Sequence, residues 1–228
     1  MLSNSIKTPH RQKKVLKNPI KFRLQLNEEQ KEAKAKILNN TLTLLAGKAG
    51  SGKTMLACQI ALDGLFRKEY EKIIITRPTV SKEDIGFLPG TEKEKSSVYE
   101  EPYRDIAIDL FSRGDAYQIL KTKGLVHFMT TSYIRGITLR DAVILIDECQ
   151  NMSFHELDSI ITRVGENCRV IFCGDFNQSD LKQNGMGEFL EILNSMKRFN
   201  FIEFGVKDIV RSGFVKEYII AKEYQQNL

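Results

Sequence analysis

The chain has 228 residues, 42% of them hydrophobic, 28% charged and 9% aromatic, which suits one soluble globular domain and excludes collagen, a coiled coil or a secreted mini-protein. No apolar run approaches the ~18 residues of a membrane span, and the N-terminus has no apolar leader segment, so a cytoplasmic protein without membrane attachment is expected. The formal net charge of +5 is unevenly placed: residues 1–23 hold seven Lys and Arg and no acid, which leaves the remainder at −2. Such a basic arm either grips a polyanion or serves as a solubilising tail. Cys58, Cys149, Cys168 and Cys173 lie in apolar stretches with no C-x-x-C pairing, as reduced thiols filling a core do.

After the arm, short apolar runs alternate with helical patterns. Asn27, with Glu28, Glu29 and Gln30 behind it, signals a helix start with a capping box. Residues 42–46 read as a buried strand, 53–67 as a helix and 72–76 as the next strand, followed by a loop marked by Pro78, Gly86, Pro89 and Gly90. Residues 99–122 read as largely helical. Strands are expected over 125–129, 142–146 and 169–173, with a last one over 201–204, and helices over 154–164, 186–197 and 211–226. Strands apolar on both faces and separated by helices predict an α/β fold, a three-layer αβα sandwich around a mostly parallel sheet. One domain over 24–228 follows.

The sharpest local signal is the run Gly47, Lys48, Ala49, Gly50, Ser51, Gly52, Lys53, Thr54, a full G-x-x-x-x-G-K-[ST] loop placed between a strand and a helix. Glycines there let backbone N–H groups curl around phosphate oxygens at a helix N-terminus. Lys53 would neutralise the β- and γ-phosphates of ATP, and the Thr54 hydroxyl would hold Mg²⁺. The strand over 142–146 ends in Asp147 and Glu148, whose side chains alternate in direction. Asp147 is therefore assigned to the Mg²⁺ shell and Glu148 to polarising the attacking water. A third strand ends in Gly174 and Asp175, with Gln178 following, an amide placed to sense the γ-phosphate. Gln30 reads either the adenine edge or its own helix cap. Arg77 closes the second strand on the nucleotide edge, and Arg135 lies in a short loop before the acidic strand. Arg211 either acts in its own or a neighbouring site, or forms a surface pair with Asp208.

Taken together, the phosphate loop, Ile75-Thr76-Arg77-Pro78, Gly86-Phe87-Leu88-Pro89-Gly90, Tyr133-Ile134-Arg135-Gly136 with Thr138-Leu139, Asp147-Glu148-Cys149-Gln150-Asn151, 174–181 and Val210-Arg211 resemble the PhoH family over roughly 25–225. Those proteins are ATPases related to the first RecA-like domain of superfamily one helicases. The resemblance implies a P-loop NTPase fold of RecA-like, ASCE type, ATP hydrolysis with Mg²⁺, and a link to RNA or single-stranded DNA. It places Lys53 and Thr54 on phosphate and metal, Asp147 on Mg²⁺, Glu148 as base and Gln178 as sensor. Ile137 stands where the family usually has a second arginine, Cys149 where alanine is usual, and Ser212-Gly213 where His-Pro commonly follows the arginine.

Two functions are expected to compete. One is an ATPase that couples hydrolysis to binding or unwinding single-stranded nucleic acid. Because a single RecA-like lobe is half a motor, it would act as a homo-oligomer, such as a hexameric ring, with Arg211 or Arg77 completing a neighbouring site. The other is an ATP-gated module that binds RNA or protein with little turnover. A small-molecule kinase fits poorly, because the Asp147–Glu148 pair and Gln178 prepare water and not a substrate hydroxyl.

Overall fold

The computed structural model describes residues 26–78, 97–134, 136–176, 185–210 and 212–226. The basic arm, the Phe87–Gly90 stretch, Arg135, Gln178 and Arg211 fall outside the described residues.

Apolar runs of five to seven residues become β1 (Leu42–Gly47), β2 (Lys72–Thr76), β4 (Ala142–Ile146) and β5 (Cys168–Gly174), joined by the shorter β3 (Val126–Phe128) and by β6 (Phe199–Phe204). They form one sheet in the order β3-β2-β4-β5-β1-β6, every pair parallel. Because strand side chains alternate, the apolar runs feed two separate cores. Leu45, Ile73, Ile75, Val143, Leu145 and Ile171 point to one face. There they meet helices α1 (Glu28–Asn39), α2 (Lys53–Phe66), α3 (Glu101–Phe111) and α4 (Ala116–Thr122). Leu44, Ile74, Ile144, Ile146, Val170 and Phe172 point to the other. They pack on the one-turn α5 (Thr131–Ile134) and on α6 (Phe154–Ile161) and α7 (Met186–Asn194). Helices thus cover both faces of the sheet, in three layers.

The register puts the ends of β1, β5 and β4 side by side, with Ala46 opposite Gly174 and Ile146 opposite Phe172. The phosphate loop, the β5 tip and the acidic pair therefore emerge at one edge, which is the arrangement the three motifs require. The terminal α8 (Gly213–Gln226) is different: its main neighbour is the 3-10 turn Val206–Asp208, and Phe214, Tyr218 and Tyr224 stand in solvent.

The largely helical 99–122 resolves into two helices: Ser112 takes a left-handed φ of 54° and ends α3, and the turn through Gly114 and Asp115 restarts the chain as α4. Tyr133 and Ile134 lie in α5, where Ile134 is an anchor in the second core. The last strand is longer than 201–204 and starts at Phe199, along β1.

Core and periphery should differ sharply in stability. Leu44→Ala, at a fully buried site, is expected to lose roughly 2–5 kcal/mol in urea unfolding. Phe214→Ala, on the exposed helix, is expected to change stability by less than about 0.5 kcal/mol.

Candidate functional site

The phosphate loop leaves β1 at Gly47, whose φ is +141° and whose missing side chain makes room for Phe204: a Cβ there would lie 2.7 Å from the Phe204 carbonyl oxygen. Gly50 and Gly52 also have positive φ, and Gly52 serves as N-cap of α2. The loop is held by neighbouring elements. The Val210 N–H donates to the Gly50 carbonyl at 3.0 Å, and the Gln30 amide donates to the Ser51 carbonyl at 3.3 Å. The Ser51 hydroxyl ties back to the Lys48 carbonyl at 2.9 Å. Lys53 is buried and turns its ammonium onto the carbonyls of Gly47 and Lys48, at 2.6 and 2.9 Å. Burial pushes its pKa down, against the pull of nearby acids.

Asp147 follows β4 directly and is buried at 5% exposure. Its Oδ1 accepts from the Thr54 hydroxyl at 2.9 Å, and its Oδ2 accepts from the Tyr103 hydroxyl at 2.9 Å. Burial, with Glu148 adding to it, raises the Asp147 carboxyl above its ordinary range; the two hydroxyls, and then Arg77 at longer range, oppose that rise. Tyr103 is pushed well above the usual tyrosine range by burial and then by the charge of Asp147, so it stays a donor. Among the described residues no cation forms an ion pair with Asp147.

Glu148 is half-buried and turns the chain out of the sheet with a left-handed φ of 52°. The two acids keep different partners: Thr54 and Tyr103 for Asp147, Gln150 for Glu148. The Gln150 amide donates to the Glu148 carboxylate at 2.7 Å and accepts from the Asp175 N–H at 3.1 Å. The Asp175 carboxylate then accepts from the Ala49 N–H in the phosphate loop at 3.1 Å. One chain of bonds thus links the expected base, the β5 tip and the loop. Gly174 makes this packing feasible, since a Cβ there would lie 2.8 Å from the Cys149 sulfur.

Arg77 lines the same cleft and lies over the Tyr99 ring at 5.7 Å. Gln30 is fully enclosed, with its oxygen on the Asn27 N–H, as a helix cap requires, and its amide on the Ser51 carbonyl. Asp208 is not a surface residue: it is buried and accepts from the Gly205 N–H at 2.7 Å and from the Asn27 amide at 3.3 Å. Tyr103, Gln150 as a bridge, and Val210 as a brace of the loop were not anticipated. Gln150 lay inside the quoted acidic motif, whereas nothing local marks Tyr103.

The cleft measures about 760 Å³, large enough for a nucleotide, and is lined by the loop, Arg77, Asp147, Glu148 and Asp175. A hydroxyl and a carboxylate oxygen at 2.9 Å are the hard donors that Mg²⁺ takes alongside substrate phosphate, so the residues fit that ion. Thr54 and Asp147 would hold it.

Because the Asp147 carboxyl titrates above the ordinary 3.8, its contribution favours folding below that value and is lost as pH rises through the raised one. Asp147→Asn is therefore expected to raise the thermal midpoint of nucleotide-free protein at neutral pH, by roughly 2–4 °C per kcal/mol relieved, and to leave it unchanged near pH 3. Differential scanning calorimetry at the two pH values checks this.

Residues 24–223 match the family described as PhoH-like protein. The chain is 33% identical over 200 residues to Protein PhoH of Escherichia coli (strain K12), covering 86% of this chain and 56% of that one. It is 35% identical over 200 residues to the PhoH-like protein of Bacillus subtilis (strain 168), covering 86% and 62%. It thus spans little more than half the length of these relatives. Among solved structures, the large terminase of a thermophilic bacteriophage superposes with a TM-score of 0.57 at 15% identity, covering 86% of this chain and 50% of that chain. The same terminase in complex with ADP gives a TM-score of 0.57 at 14% identity, covering 86% and 49%. The fold is that of the P-loop NTPases, and on the match over 24–223 and the identity to both relatives the chain belongs to the PhoH family.

Proposed function

We propose that this protein binds Mg-ATP where β1, β5 and β4 end and hydrolyses it, with turnover responding to single-stranded nucleic acid, RNA foremost. The observation that carries the reading is the 2.9 Å bond between Thr54 and Asp147, which joins the phosphate loop to the acidic strand at one point.

The loop amides and the N-terminus of α2 would receive the phosphates. Lys53 would exchange the Gly47 and Lys48 carbonyls for phosphate oxygens; both sets of partners suit a buried ammonium. When bound, Mg²⁺ supplies charge neutralisation between the phosphates. Glu148 would accept the proton of the attacking water, its carboxylate oriented by the Gln150 amide. Because Gln150 also meets the Asp175 N–H, a shift of the base on hydrolysis would reach the β5 tip, from which Gln178 follows. Gln178 would touch the γ-phosphate, and Arg211, just beyond the Val210 that braces Gly50, would complete this site or a neighbouring copy's. One such lobe works naturally in a homo-oligomer, and turnover per chain that stays constant on strong dilution would count against that. RNA or single-stranded DNA is favoured as the polymer by the basic arm.

ATP turnover measured with and without single-stranded RNA tests the reading. Wild type is expected to accelerate several-fold with RNA, and Glu148→Gln to keep nucleotide binding while losing about 10²–10⁴-fold in rate. Nucleotide-dependent RNA binding with negligible turnover in wild type would instead identify a gated binding module. Deleting residues 1–23 is expected to flatten the salt dependence of RNA binding: seven phosphate contacts give a log–log slope of about −5 on single strands. An unchanged slope after deletion assigns the arm to another task.

A further inference from the structure

We propose that Tyr103 is a positioning residue for the divalent cation, holding the Asp147 carboxylate in the orientation that offers one oxygen beside Thr54. The inference rests on the Mg-ATP reading of the cleft and extends it to a residue outside the phosphate loop and the acidic strand.

Tyr103 sits in the first turn of α3, behind Pro102. Its ring is 2% exposed, packs 6.0 Å from the Phe128 ring and belongs to the apolar core. Packing of that kind leaves the ring one position, so the hydroxyl is delivered to one place: 2.9 Å from Asp147 Oδ2. The other oxygen faces Thr54 at 2.9 Å. The carboxylate cannot rotate without breaking the tyrosine bond in an apolar surrounding, which is costly. Oδ1 is thereby held toward the loop.

A second tyrosine–carboxylate pair, between α4 and the residue that precedes α3, shows the contrast. The Tyr117 hydroxyl donates to Glu100 at 2.8 Å, but Glu100 also takes the Lys121 ammonium at 2.6 Å, so its charge is matched within the protein. Asp147 is bonded by neutral hydroxyls, and among the described residues no cation forms an ion pair with it; Arg77 and Lys53 act on it only through space. A buried carboxylate oriented by hydroxyls but left without an ion pair is suited to a cation that arrives with its ligand. Tyr103 orients without neutralising, a combination that Lys or Arg in its place would not give.

The test is fluorescence titration of mant-ADP at varied Mg²⁺ on wild type and Tyr103→Phe, with Ca²⁺ as the competing ion. Tyr103→Phe is expected to bind mant-ADP in EDTA as wild type does and to need about tenfold more Mg²⁺ for half-maximal enhancement. It is also expected to shift preference toward Ca²⁺, which accepts both oxygens of one carboxylate where Mg²⁺ does not. A cooperatively melting Tyr103→Phe with the wild-type Mg²⁺ midpoint and ion preference overturns the proposal. Should that variant not fold, 3-fluorotyrosine inserted at position 103 alone keeps the hydroxyl. Its ¹⁹F resonance is expected to move with the Mg²⁺ midpoint, and a resonance unmoved at saturation overturns the proposal. Wild type that binds no mant-ADP at any Mg²⁺ concentration overturns the nucleotide reading itself, a result distinct from either of these.

Discussion

A carboxylate buried to 5% exposure, held by two hydroxyls and ion-paired to no positive side chain among the described residues, is the constraint around which this protein is arranged. Burying such a group penalises its charged form, and the raised pKa of Asp147 is that penalty in another form. The apolar strands on both sides of β4 create the burial. The phosphate loop and α3 each contribute one hydroxyl that makes it tolerable. A fold could have placed a lysine there, as it does beside Glu100. Matching the charge with hydroxyls and, among the described residues, no ion pair gives up stability and suits the cation proposed to bind there.

The opposite problem is solved at Lys53, a buried ammonium that rests on backbone carbonyls of its own loop. Both groups sit in an enclosed edge of the sheet, and both are satisfied by partners that a polyphosphate and its metal could replace. The scaffold behind them is rigid where it must be. Gly47 and Gly52 let Phe204, Gln30 and Val210 press against the loop, so segments far apart in sequence brace it. Those contacts make the start of α1 and the chain after β6 part of the support of the loop.

Much of this is legible in the sequence. The apolar runs over 42–46, 142–146 and 169–173 and the turn signals after each identify strands whose ends must share an edge once the sheet is parallel. The phosphate loop and the Asp147–Glu148 pair declare themselves because their chemistry needs particular residues at fixed spacing. Two kinds of information are not local. The break at Ser112 depends on one left-handed residue in a stretch whose composition reads as largely helical. Tyr103 looks like any core aromatic in sequence, because its hydroxyl acquires meaning only when α3 is laid against the end of β4. Gln30 is ambiguous for a related reason: a capping glutamine and a ligand-reading one have the same sequence signature, and the bond of its amide to Ser51 is not visible in either.

The left-handed backbone at Glu148 sets up a trade-off. A residue with a side chain is strained in that conformation, and glycine is the substitution that relaxes it most. Glycine there would ease the turn and remove the carboxylate proposed as the base, so the sturdier chain would be the one without its proposed catalyst.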